Sequence, residues 1–440
     1  MMEPRGRWLA LLVGMLVTAL AFGAGPAAAR SKVHKAADTL AGRGMWVWYV
    51  SRSSGGTLSS IVATARQYGV STLIVKSSDG PTMWSQFNPT LVSTLHASGL
   101  RVCAWQYLYG NHPLLEAQVG AQAVRDGADC LVMDAESEYE GKYVAAQSYI
   151  TQLRKLIGPN YPVALAGFPY IDYHQGFPYS VFLGPGGAQY NSPQMYWMDI
   201  GTSVNAVYAH TYAYNDVYER PIDPLGQVYQ NPPMGQIIRF RQLSRTYGAS
   251  GVSWWNWQQA STMGWKAISI GAGNLTGVTA SPNTPILALH SAGDLVVWAQ
   301  EHLVTAGYPT AVDGSYGPIT QAAVESFQTA EGLTVDGIVG PATWAALLRY
   351  APTAVTWTHA GAVMATAADV RGARAGRTLR LAVPKSARLP ARNASRANAG
   401  SFCMVSTTIW VSGAASLSRG MAGRLDPPGI FRSRISTRGW

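Results

Sequence analysis

From Met45 to about Trp257, short β-rich runs alternate with amphipathic helical runs. The pattern predicts strands over 45–50, 72–77, 102–108, 130–135, 163–168, 192–198, 221–229 and 251–257. Between most of them apolar positions recur at helical spacing, as at 58–68, 113–126, 144–157 and 234–247. Gly69, Gly99, Gly127 and Gly248 stand where a helix ends and the next strand begins, the place where glycine caps a helix. Such alternation predicts a parallel sheet. Eight strand–helix units over about 230 residues fit an α/β fold of the closed (β/α)8 type. An open doubly wound sheet is the competing arrangement. It calls for a G-x-G-x-x-G loop after the first strand, and Arg52, Ser53, Ser54, Gly55 and Gly56 do not have that order.

The pattern changes after the segment 278–285 (VTASPNTP), which reads as a linker. Beyond it D-G-x-x-G-P-x-T occurs twice, at 313–320 and 336–343. Asp313, Gly314 and Gly317 in the first copy, and Asp336, Gly337 and Gly340 in the second, suit tight turns. The proline that follows fits the first position of a helix, where a missing N–H is harmless. Each copy therefore launches a helix, near 319–329 and 342–350, after a first helix over 294–306. On these turns, and on Ala323, Val324, Phe327 and Gln328, the stretch 286–350 resembles the helical peptidoglycan-binding module of secreted bacterial wall hydrolases. The resemblance implies a small three-helix all-α domain that holds the chain on cell-wall glycan-peptide.

At 440 residues the chain is too long for one ordinary domain. Arg5 and Arg7 precede an apolar run of about 15–18 residues, and Ala27, Ala28 and Ala29 offer a small-residue cleavage site. Residues 1–29 are therefore expected to be a signal peptide, with an uncleaved anchor as the alternative. The run is short for a permanent span. The expected order is signal peptide 1–29, barrel 40–272, linker 273–285, wall module 286–350 and a disordered basic tail 351–440. The formal charge of +10 comes from that tail, which holds 13 Lys and Arg against 2 Asp and Glu. The remaining 20 and 21 nearly balance, so no nucleic-acid partner is expected. The tail reads either as a basic arm for anionic wall polymers or as translation outside an ancestral frame. Cys103, Cys130 and Cys403 are the only cysteines. Cys103 and Cys130 fall in different strands, on what read as opposite faces, and are expected as buried free thiols. No metal-ligand spacing occurs, so neither a metal nor another cofactor is expected.

In a barrel, chemistry collects where strands end at the C-terminal face. The fourth predicted strand ends with Asp134 and Glu136, two residues apart and so on one face with Val132. About 6.5–7 Å of chain separates them. Two carboxyls that close hold a proton to higher pH than one alone, and glycoside cleavage needs a proton donor beside a second carboxylate. Lys76, Gln106, Gln194, Tyr196, Asp199, Asp223, Trp255 and Trp257 are candidate substrate-binding residues at or near other strand ends. Tryptophan faces stack on the apolar faces of sugar rings, and amides bond hydroxyls.

The D-x-E at 134–136 resembles two barrel families that cut amino-sugar glycans, the lysozymes of the Chalaropsis type and the chitinase-like family. In the latter the strand reads D-x-x-D-x-D-x-E. Asp129, Asp134 and Glu136 keep that register, while Val132 stands in place of an acid. The resemblance implies that Glu136 is the proton donor and Asp134 orients an N-acetyl group that attacks the anomeric carbon. Gln194, Met195 and Tyr196 resemble the region whose Tyr steadies that group. The lysozyme family carries an Asp on its first strand, and this chain has none there. The expectation is a secreted, cell-wall-associated glycoside hydrolase on a TIM barrel, cutting β-1,4 bonds of peptidoglycan or a related N-acetylated glycan as a monomer. The alternatives are a barrel that binds peptidoglycan without cutting it, and a hydrolase of another wall-attached polysaccharide.

Overall fold

The computed structural model describes residues 39–280 and 283–358. The expected signal peptide, Cys403 and the tail from 359 onward lie outside the described residues. Nine strands form one sheet: β1 (Gly42–Val47), β2 (Thr72–Asp79), β3 (Thr82–Met83), β4 (Arg101–Leu108), β5 (Cys130–Ala135), β6 (Val163–Ala166), β7 (Tyr190–Asn191), β8 (Leu225–Gln227) and β9 (Gly251–Trp255). Eight run parallel in the order β7-β6-β5-β4-β2-β1-β9-β8, and β3 folds back antiparallel on β2. The two ends of this order meet through isolated parallel bridges, Asn191 to Ile222 and Gln194 to Leu225. The sheet thus curls on itself into a barrel of parallel strands.

Both faces of the sheet are buried, and the two-residue alternation divides them. Trp46, Ile74, Cys103, Trp105, Cys130, Val132, Ala164, Ala166, Leu225 and Trp255 fill the lumen. Met45, Leu73, Val75, Leu131, Met133 and Leu165 face the surrounding helices. Ser and Thr start several of those helices. Thr57 Oγ1 accepts from Ser60 N, and Ser261 Oγ accepts from Gly264 N. Gly69, Gly99, Gly127 and Gly248 all have positive φ at helix ends, as their places in the sequence predict.

Two expectations need correction. Cys103 and Cys130 are register partners on β4 and β5, both point into the lumen, and they form a disulfide. Parallel neighbours in register place facing Cβ atoms on the same side, so the reading of opposite faces was a parity error. The sixth strand lies at Tyr190–Asn191, before the predicted 192–198. Pro193 has no N–H to donate to the ladder, and Trp197–Ile200 forms a short helix closed by Gly201 at φ 73°.

In the C-terminal part, helices Asp294–Thr305, Pro318–Ala330 and Pro341–Leu347 follow the repeated turns. One buried glutamine clamps each turn. Gln300 Oε1 accepts from Asp313 N and Gly314 N, while its Nε2 donates to Asp313 Oδ1, Ser315 O and Thr320 Oγ1. Gln328 does the same with Asp336 N, Gly337 N, Asp336 Oδ1, Ile338 O and Thr343 Oγ1. The repeat in the sequence is thus a repeat of a hydrogen-bonding device. The first residues of the segment expected to be a disordered tail pack against the rest: Thr353 N donates to Glu301 O, and the Trp357 ring lies 4.4 Å from that of Tyr143.

Candidate functional site

Asp134 is buried near the end of β5, and Glu136, the first residue past it, is half-buried. One amide joins them: Gln194 Nε2 donates to Asp134 Oδ1 at 3.0 Å and to Glu136 Oε1 at 2.9 Å. Both oxygens within 3.0 Å of one nitrogen means that the carboxyl groups share a single small space. Burial, and then the neighbouring Glu136, pushes the Asp134 carboxyl well above its ordinary range. Burial also raises Glu136, opposed by the Gln194 hydrogen bond and by His174. The pair therefore retains a proton at a pH where exposed carboxyls have lost theirs.

Lys76 is the buried cation of this group. Its Nζ lies 3.3 Å from Asp79 Oδ1 and 4.0 Å from the centre of the Trp105 ring, with Trp84 at 5.3 Å, Tyr107 at 5.4 Å and Trp48 at 5.9 Å. Aromatic faces stabilise the ammonium where water is scarce. Burial still lowers its pKa, with Asp79 and Asp134 opposing. Tyr107, the register partner of Asp134, donates to Glu138 Oε2 at 3.0 Å. Tyr196 meets Tyr229 edge to face at 5.5 Å, and Tyr229 OH and Gln230 Nε2 both donate to Asp199. Trp255 packs on Trp46, Trp48 and Trp105. The result is a buried acidic cluster walled by aromatic rings at the C-terminal ends of the strands. Two buried donors, Trp48 Nε1 and Gln227 Nε2, have no partner there among the described residues.

Asp134, Glu136, Gln194, Lys76, Tyr196 and Trp255 are thus brought together, with Asp199 tied to Tyr229 beside them. Three other candidates stand elsewhere. Gln106 is on the outer face of β4, where its amide donates to Gly80 O and Glu116 O and accepts from Tyr149 OH. Trp257 packs on Trp265 and donates to Ser54 Oγ. Asp223 lies fully buried before β8, between Asn191 and Ser250. The six turn residues of the wall module are engaged in the glutamine clamps or cap the helices that follow. Trp48, Trp84, Trp105, Tyr107, Glu138 and Tyr229 were missing from the sequence reading. The parity of Asp134 carried across the ladder to β4 would have found Trp105 and Tyr107. Among the described residues no group of three His, Cys, Asp or Glu is arranged to hold a metal ion.

Residues 292–347 match the family described as a peptidoglycan binding domain. The chain is 48% identical over 69 residues to an uncharacterized protein of Kitasatospora aureofaciens, covering 15% of this chain and 58% of that protein. It is 49% identical over 59 residues to the zinc D-Ala-D-Ala carboxypeptidase of Streptomyces albus G, covering 12% of this chain and 22% of that one. The chain thus spans less than two thirds of the length of these relatives. Among solved structures, a fungal endo-β-N-acetylglucosaminidase of glycosyl hydrolase family 18 aligns with a TM-score of 0.39 at 14% identity, over 51% of this chain and 96% of that one. The chain therefore carries a peptidoglycan-binding domain in its C-terminal region.

Proposed function

We propose that this protein is a secreted, wall-anchored glycoside hydrolase acting on a β-1,4 bond beside an N-acetylated sugar. The observation that carries the reading is the Asp134–Glu136 pair, held by one Gln194 amide at an aromatic mouth. Glu136, raised by burial, is the proton donor to the leaving glycosidic oxygen. Asp134 bonds the acetamido N–H, and the acetamido oxygen forms the new bond to the anomeric carbon as the old bond breaks. Water then opens that intermediate, returning its proton to Glu136. Inverting enzymes hold their carboxyls about 6.5–9.5 Å apart to admit a water. The two carboxyls here share one amide and leave no such gap, and two successive displacements at the anomeric carbon, first by the acetamido oxygen and then by water, retain the configuration. Trp255, Trp48 and Tyr196 supply ring-stacking faces, and Trp48 Nε1 and Gln227 Nε2 supply unused donors for sugar oxygens. The domain at 292–347 supplies the wall contact, and anchoring raises the substrate concentration at the mouth.

Val132 in the lumen, where the chitinase-like pattern has an acid, favours a second reading in which the barrel binds glycan without cutting it. Release of reducing ends from purified walls separates the two. Wild type is expected to release them and Glu136→Gln to lose at least about 10²-fold. No release by wild type from pH 4 to 8 would refute hydrolysis and leave the binding reading.

A further inference from the structure

The first helix of the wall module begins inside the packing of the barrel. Asp294, its first residue, is fully buried. Its Oδ1 accepts from Tyr143 OH at 2.8 Å and Ser180 Oγ at 2.7 Å. Its Oδ2 accepts from Ser180 N and Tyr218 OH, both at 2.7 Å. Its own N–H donates to Gln175 O at 2.8 Å. One turn on, the buried Trp298 donates to Val217 O at 2.7 Å, and its ring lies 5.2 Å from that of Tyr218. A Cβ on Gly184 would meet the same indole at 3.6 Å. After the third helix the chain returns to the barrel. Gln147 donates to Val355 O at 2.7 Å and accepts from Trp357 N at 2.9 Å, and Trp357 closes over Tyr143.

A module on a swinging tether would keep this carboxylate in water, where ions are best solvated. Removing it from water is costly, and the donors it meets offset part of that cost. Here four donors from three separate barrel segments converge on two oxygens. Undocking would strand them together with two tryptophans. We infer that the barrel and the wall module form one rigid body latched by Asp294, so that the wall is held at a fixed offset from the barrel mouth.

The latch also reaches the site. The segment that supplies Gln175 and Ser180 carries His174, which pairs with Glu140 at 3.0 Å and stacks on Phe168. That segment is pinned again where Gly141 N donates to Gly176 O. His174 is the histidine that lowers the Glu136 carboxyl. Docking therefore braces a segment beside the carboxyl pair. For cutting, which rests on the proposed hydrolase reading, a fixed offset presents the anchored glycan at a set spacing and narrows the range of product lengths.

The test uses the full chain. Wild type is expected to unfold in urea in one transition seen alike by hydrogen exchange in barrel and module helices. Amide exchange in the first module helix, Asp294–Thr305, should be no faster than in the barrel helices. Asp294→Ala with Trp298→Ala is expected to separate the transitions and speed exchange in that helix at least tenfold. Tyr218→Phe, which keeps the ring and removes one donor, should give a smaller increase. Two independent transitions in wild type would overturn the rigid body. A double variant that still unfolds as one, with unchanged exchange in that helix, would overturn the latch. None of these readouts needs activity, so a wall digest with no products would count against the hydrolase alone. Where products form, equal length distributions from wild type and the double variant would overturn the fixed offset.

Discussion

Replacing Gln328 with Met keeps nearly the same volume and removes every polar contact the side chain makes. The amide is 1% exposed and serves five partners in the second repeated turn. Two of them, Asp336 N–H at 3.1 Å and Gly337 N–H at 3.0 Å, point at the one oxygen that the substitution deletes. A backbone donor left unpaired in a buried place costs about 1–3 kcal/mol, and a cavity adds little when shape is preserved. Water reaches the partly buried Asp336 amide, while the Gly337 amide is enclosed. The expected loss is therefore about 3 kcal/mol. Gly337 has φ 65°, so the turn has few other ways to satisfy its N–H groups. Urea unfolding of the full chain measures the loss, and hydrogen exchange at Asp336 and Gly337 should accelerate ahead of the rest of the module. Gln300→Met should behave alike in the first turn. A loss below about 1 kcal/mol with unchanged exchange at those two amides would refute the clamp as the reason the motif occurs twice.

Other outcomes follow from the same contacts. The Asp294 carboxyl is pushed up to about 6 by burial from an ordinary 3.8. A raised acid stabilises the folded state fully below pH 3.8 and loses that contribution as pH rises through about 6, about 3 kcal/mol in all. Unfolding of Asp294→Asn from pH 3 to 8 should lack this slope, and an identical slope in both proteins would count against it. Lys76→Met removes the cation that lowers both Asp134 and Glu136, so both limbs of the pH–rate profile on wall glycan should move to higher pH. A shift downward would contradict the charge arrangement. Gly120→Ala places a methyl 2.7 Å from Gln106 Oε1 and 3.1 Å from Leu131. Because that amide is tied to Gly80, Glu116 and Tyr149, overpacking of about 1–3 kcal/mol is expected in thermal unfolding. Replacing Cys103 and Cys130 together with Ala opens a loop of sequence separation 27, and chain entropy puts the stability loss at about 3–4 kcal/mol. A change below about 1 kcal/mol would show that lumen packing alone holds β4 to β5.

What could be read in the sequence was what depends on neighbours along the chain. The D-G-x-x-G-P-x-T turns and their proline-started helices are local chemistry, and both helices start within a residue of the expected position, while the second ends at Leu347 rather than 350. Asp134 and Glu136 share a face because a strand alternates, whatever surrounds it. Parity across strands was not legible, because both faces of a parallel sheet are apolar and polarity cannot say which face is the lumen. That ambiguity selected Gln106 over Tyr107 and separated Cys103 from Cys130, which are partners in the same ladder. Asp294 marks the further limit. An acid at the start of an apolar helical run reads as a complement to the helix dipole, exposed and worth a fraction of a kcal/mol, about 0.3–1. Its real setting comes from Tyr143, Ser180 and Tyr218, separated from it by 151, 114 and 76 positions. No window along the chain contains that cluster. A charged residue that local rules fully account for can therefore still be the one around which two domains are fastened.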